Sequence, residues 1–253
     1  KGIPIRRETE DGRTIILKRI ENGHPLFEID LNREVAITSS VDDVHPGGSL
    51  GLSLTGAGEI LGIWEAGDVP LASHQEFEDS EGQSRINQQE NASVDDHATH
   101  VAGTMIAAGV DSDAQGMAFE AELNAWDSDE EKDEMATAAG NGLGVSNHSY
   151  GYITGWRYNN SDNIWEWHGV PSIDKEEDYG FGFYGSDAES WDEIAYNAKK
   201  YVIVKAAGND RNDGPPNQPV MHRVDGDTIT GVTRQLDGGQ DGYDSVPRRG
   251  TAK

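Results

Sequence analysis

Tyr201-Val202-Ile203-Val204-Lys205-Ala206-Ala207-Gly208, running into Asn209, is the stretch on which the architecture turns. Its β-branched run is short, apolar and stopped by glycine, which predicts a strand buried in a parallel sheet. Upstream, Ala188 to Lys200 reads as a helix with Trp191, Ile194, Ala195 and Ala198 as its apolar stripe. Val145 to Tyr150 reads as a strand. Asp129 to Ala139 reads as a helix whose first turn is crowded with Asp and Glu, as the helix dipole favours. Glu59 to Glu65 and Ala121 to Trp126 are further short strands, and His97 to Gly109 is a helix in which Val101, Met105 and Ile106 share a face. This alternation predicts an α/β fold built on a mostly parallel sheet with right-handed crossovers. Working side chains in such sheets stand beyond the carboxyl ends of strands, where Glu65, Ser149 and Asn209 fall.

Residues 1–55 are polar, with turn signals at Asp11-Gly12, Asn22-Gly23 and Pro46-Gly47-Gly48, and read as an irregular N-terminal arm. Residues 154–186 read as an aromatic and acidic insertion whose rings pack onto the core or line a cleft. Asp and Glu number 46 against 20 Lys and Arg, a formal charge of −26. Such a field repels nucleic acid and anionic membranes and favours cations or basic partners. Cysteine is absent, which removes disulfides and thiolate chemistry. No apolar run approaches the ~18–20 residues of a membrane span. The opening Lys1-Gly2-Ile3 has none of the layout of a signal peptide and reads as processed or trimmed.

Asp96-His97-Ala98-Thr99-His100-Val101-Ala102-Gly103-Thr104 sets a histidine at the mouth of a helix whose next turn is made of small residues. A histidine held in this way acts as a general base once a carboxylate orients it and a hydroxyl lies within reach. Four segments, taken in order, resemble the subtilisin-like serine proteases, the subtilases. Ile63-Trp64-Glu65-Ala66-Gly67 is similar to the strand that ends in the catalytic acid, and His97-Ala98-Thr99-His100-Val101-Ala102-Gly103 to the base motif. Asn147-His148-Ser149-Tyr150-Gly151 is similar to the substrate-pairing strand, and Ala206-Ala207-Gly208-Asn209 matches the oxyanion strand.

The resemblance implies a three-layer subtilisin-like fold with a central parallel sheet, incomplete in this chain. It makes residues 56–253 the N-terminal portion of a catalytic domain and residues 1–55 an arm or a propeptide remnant. It implies a secreted serine endopeptidase working through an acyl-enzyme. His97 would move the proton, Glu65 would accept the imidazole N–H, and Asn209 would donate to the oxyanion. Substrate would lie along Ser149, Tyr150 and Gly151 as an added strand. Glu65 departs from the family's Asp by one methylene, so the backbone or rotamer has to adapt. Asp68 is the weaker alternative, because it lies past Gly67. His100 reads as structural. Catalysis of this kind needs no cofactor, and a structural calcium ion is compatible with the resemblance. The acidic residues from Asp127 to Glu134 lack the ligand spacing of a calcium loop and read as a solvated face.

The family's nucleophile sits in a Gly-Thr-Ser-x-Ala segment that opens a long helix. The sole serine after Asn209 is Ser245, followed by Val246-Pro247, and Gly250-Thr251-Ala252 comes too soon to be that motif with its serine replaced. The expectation is therefore an acid–base fragment that stays associated with a second polypeptide carrying the serine. The competing readings are an inactive subtilase-like binding protein and a metal-dependent hydrolase. The histidines are not spaced as a ligand set, which disfavours the latter.

Overall fold

Two units divide the chain between Asp129 and Glu130 in a computed structural model that describes residues 6–8, 14–21, 24–29, 32–239 and 242–253. The first unit opens with an antiparallel sheet of β1 (Arg6–Glu8), β2 (Thr14–Glu21) and β3 (His24–Ile29). Two short helices follow, α1 (Asn32–Thr38) and α2 (Val41–Val44). This corrects the irregular arm expected over residues 1–55. Strand β2 carries Thr14, Ile15, Ile16 and Ile20, residues that favour the pleated sheet. Glu21 lies opposite His24 at the end of the β2–β3 ladder, where polarity alone suggested a loop. The Asp11-Gly12 and Asn22-Gly23 signals themselves lie outside the described residues.

The parallel part of this unit comprises β4 (Ile60–Glu65), β5 (Asp68–Val69), β6 (Ile86–Gln88), β7 (Ser93–Val94), α3 (Asp96–Ile106) and β8 (Glu122–Asp127). Strand β8 runs parallel to β4 on one side and β6 on the other, with Ile60 opposite Glu122 and Glu65 opposite Asp127. Ile63, Leu123, Ala125 and Ile86 meet Ala102 and Ile106 of α3 in one core. Ala98, Ala102 and Ile106 recur every four residues, and the two alanines let the helix lie close on the sheet. Trp64 and Trp126 face each other across β4 and β8, stacked with centroids 4.2 Å apart. Burying a large apolar side chain of this kind contributes about 1.5–3 kcal/mol.

The end of α3 is fixed by two buried polar groups. The Glu76 carboxylate accepts the N–H groups of Gly109, Val110 and Asp111. The Arg85 guanidinium donates to the carbonyls of Ala121, Glu76 and Ile106. Gly109, at φ +86, supplies the left-handed turn that follows.

The second unit contains α4 (Glu131–Gly140), β9 (Val145–His148), β10 (Trp156–Asn159), β11 (Ile164–Trp167), α5 (Ser186–Asn197), β12 (Val202–Lys205), β13 (His222–Val224) and β14 (Asp227–Ile229). Strands β9 and β12 pair in parallel, Val202 opposite Val145 and Lys205 opposite His148. Parallel strands flanked by helices thus make up the α/β fold the sequence predicts. The expected burial of β12 is corrected: Val202 is 58% and Val204 49% exposed. A short apolar run does not distinguish burial on two faces from burial on one.

The segment 154–186 is less an insertion than half of a second sheet. Strands β10 and β11 form a hairpin, β11 runs parallel to β13, and β13 pairs with β14. Trp156, Trp167 and Val224 are its core, so these rings pack inside the sheet's own cluster. The partner strands lie more than fifty residues downstream, beyond any local reading.

Candidate active site

In the first unit β4 delivers Glu65 at its carboxyl end, 3% exposed, and α3 begins beside it. Asp95 caps that helix, its carboxylate accepting the His97 N–H at 2.7 Å. The cap fixes the backbone from which the imidazole projects. His97 Nδ1 donates to Glu65 Oε2 at 2.8 Å, and the His97 side chain remains 57% exposed. With Nδ1–H committed to the carboxylate, a neutral ring keeps its lone pair on Nε2. The longer reach of glutamate is thus accommodated. Asp68 lies on β5 opposite Ser93, and it is Glu65 that holds His97. His100 is exposed on the same helix. Asp95 was missed in the sequence, although an Asp immediately before a helical run is a cap signal.

The second unit carries Asn209 and the Ser149-Tyr150-Gly151 segment. The ladder ends at His148 rather than at the expected Tyr150. Residues 149–153 and Ala206, Gly208, Asn209 and Asp210 line one pocket with Arg157 and Pro247. Gly208, at φ +94, turns the chain so that Asn209 stands exposed. A Cβ at Gly208 would lie 3.0 Å from Pro247 Cδ, so glycine is also the residue that fits. The Lys205 ammonium donates to the Tyr150 carbonyl and, at 3.2 Å, to that of Ala206, bracing the two walls.

Behind this pocket runs a buried polar chain. Arg249 donates to Glu131 Oε2 at 2.8 Å, and the Tyr150 hydroxyl donates to the same oxygen at 2.6 Å. With that proton committed, His148 Nδ1 donates to the Tyr150 oxygen at 3.1 Å, and His148 Nε2 accepts from Ser146 at 2.8 Å. Tyr201 completes the chain at 2.6 Å from Ser146. Burial, then Lys205 and Arg249, push the His148 pKa down to about 3, so the ring is neutral and structural. The expectation that the acidic residues from Asp127 to Glu134 form a solvated face is corrected at Glu131, which is 3% exposed. A helix face legible as charged from sequence still buries whichever residue its tertiary partner reaches.

Four carboxylates gather around Gly155-Trp156-Arg157. Asp178 accepts from the Gly155 and Gly180 N–H groups, both at 2.8 Å, and Asp237 accepts from Trp156 at 2.8 Å. Asp210 lies 2.5 Å and Asp213 3.6 Å from the Arg157 guanidinium. Burial raises the pKa of Asp210 and Asp213, and Arg157 opposes the rise. Burial also pushes Asp237 up to about 8, with Asp210, Asp213 and Asp178 adding to it against the Trp156 N–H. A folded pKa above the ordinary carboxylate value means the neutral form is favoured on folding. Its stabilisation is complete below pH ~4 and is lost as pH rises toward 8. Urea melts at pH 5, 6.5 and 8 should show falling stability, and Asp237→Asn should flatten that fall. An unaltered slope in the variant would contradict the assignment. Among the described residues no group of three or more His, Asp or Glu is arranged to hold a metal, and no helix is long and apolar enough to cross a membrane.

Residues 16–226 match the profile described as "Subtilase family". No curated protein matches the chain. Among solved structures, the Clostridium perfringens CspB protease is similar at 21% identity and a TM-score of 0.41, over 63% of this chain and 37% of that one.

Proposed function

This chain belongs to the subtilase family of serine proteases, and we propose that it works as a subtilisin-type endopeptidase with His97 as its base. The observation that carries the reading is the 2.8 Å contact between a buried Glu65 carboxylate and an exposed His97 ring. In this role His97 Nε2 takes the nucleophile's proton and returns it to the leaving amine. Glu65 holds the tautomer and stabilises the imidazolium. Asn209 donates its amide to the tetrahedral oxyanion, a donor whose removal costs about 10²–10³ in turnover in subtilisin itself. The peptide runs along Ser149, Tyr150 and Gly151. The proposed chemistry calls for no cofactor, and an extracellular location is part of the same proposal.

The serine is the part these 253 residues do not supply in the family's Gly-Thr-Ser-x-Ala setting. We take it to come from a further segment of the same precursor that stays associated. Glutamate at position 65, where the family carries aspartate, favours a second reading, a subtilase-like binding protein without activity. A fluorophosphonate probe separates them. Labelling of an associated serine, abolished by His97→Ala, is expected for the protease. Folded protein that never labels would leave the binding reading.

A further inference from the structure

On the endopeptidase reading, the pocket beside Ser149-Tyr150-Gly151 receives the substrate side chain on the acyl side of the bond to be cut. We propose that Arg157, held by Asp210 and Asp213, restricts this pocket to short uncharged side chains and so sets cleavage preference. Size is the first argument. The pocket measures about 110 Å³, below the ~150 Å³ of a cavity that admits benzene. Such a volume disfavours phenyl and indole rings and gives the long stems of Lys and Arg little to bury against. Ala, Ser and Thr fit.

Charge is the second argument. Arg157 is 40% exposed while Asp210, 2.5 Å away, is 2% exposed. An incoming side chain therefore meets the guanidinium first, with the carboxylate behind it. A cationic side chain finds the Asp210 carboxylate already occupied by Arg157. An anionic one finds a guanidinium already matched by two carboxylates, which weakens its attraction. The position of Arg157 is itself fixed, because the Gly155 and Trp156 N–H groups preceding it are held by Asp178 and Asp237. Residues 150, 152, 153 and 247 supply apolar walls, leaving the Arg157–Asp210 pair as the charged element of the lining.

Removing the guanidinium enlarges the pocket and presents the buried Asp210 carboxylate to whatever enters. Preference then shifts from short neutral side chains to long cationic ones.

The test is equilibrium titration of the folded chain with acetyl-Ala-Ala-Pro-X-amide peptides, where X is Ala, Phe or Arg. The wild type is expected to bind the Ala peptide at least about tenfold more tightly than the other two, the scale on which pockets discriminate by fit. Arg157→Ala should invert the order, the Arg peptide gaining about tenfold or more, and adding Asp210→Asn should cancel that gain. Arg157→Lys, which keeps the charge, should keep the wild-type order. If Arg157→Ala does not fold, Arg157→Gln keeps the stem, drops the charge and makes the same comparison. Equal binding of the three peptides by the wild type, or an unchanged order after loss of the charge, overturns the proposal. Failure of every peptide to bind every form overturns the endopeptidase reading instead.

Discussion

Glu65→Gln is expected to lower kcat for peptide hydrolysis by about 10⁴-fold with little change in KM, in the assembly proposed to carry the serine. That is the size of effect found when the carboxylate of a Ser-His-Asp triad becomes an amide. Glu65 is 3% exposed and takes the Nδ1–H of His97 at 2.8 Å. An amide at that place offers N–H as readily as C=O, so it no longer selects the tautomer with its lone pair on Nε2. It also leaves the imidazolium formed during turnover without a countercharge. Glu65→Asp is the sharper comparison, because aspartate is the residue subtilases ordinarily carry. Withdrawing the carboxylate by one carbon–carbon bond, about 1.5 Å, takes it out of hydrogen-bond reach of the ring. A loss of roughly a hundredfold is expected, the scale associated with an ångström of misplacement. Steady-state kinetics on a fluorogenic peptide, with near-ultraviolet circular dichroism to confirm folding, measures both. An aspartate variant as fast as the wild type would show that the site is not built around glutamate.

Glu131→Ala is expected to destabilise the chain by about 3–5 kcal/mol, the range for stranding the partner of a buried ion pair. The Glu131 side chain is 4% and the Arg249 side chain 14% exposed, so water screens neither. Its removal leaves the Arg249 guanidinium and the Tyr150 hydroxyl without their shared acceptor, and the hydrogen bonds through His148 and Ser146 lose their anchor. In thermal melts this corresponds to a fall of very roughly 6–20 °C for a chain of this size. Replacing both Glu131 and Arg249 by apolar residues should recover much of the loss, because no charge is then left uncompensated. A loss below about 1 kcal/mol would mean that Glu131 behaves as the surface acid its sequence neighbours suggest.

Strands β4, β8, β9 and β12 and helices α3, α4 and α5 were legible because their cues are local, whereas β5, β6 and β7 are too short to show a pattern. Short apolar runs mark the strands, and the shared face of Val101, Met105 and Ile106 marks α3. The two hairpin partners of residues 154–186 were not legible, because Trp165 pairs with His222, far along the chain. Strands β2 and β3 were not legible, because a polar composition conceals the isoleucines that favour the pleated sheet in β2. At the site, the motifs named His97, Glu65 and Asn209. They did not name Asp95, which caps the helix, or Arg157 and Asp210, which carry no motif and meet only across the fold.

By itself, then, the sequence determined the α/β alternation, the family resemblance and the candidates for the acid, the base and the oxyanion donor. These depend on residue types and spacings that neighbours in the chain specify. Only the tertiary structure decided that Glu65 rather than Asp68 reaches His97, that Glu131 is buried, that β12 is half exposed, and that Arg157 faces the pocket. Each of those is settled by contacts between residues distant in sequence, where burial and register follow from packing that no local pattern encodes.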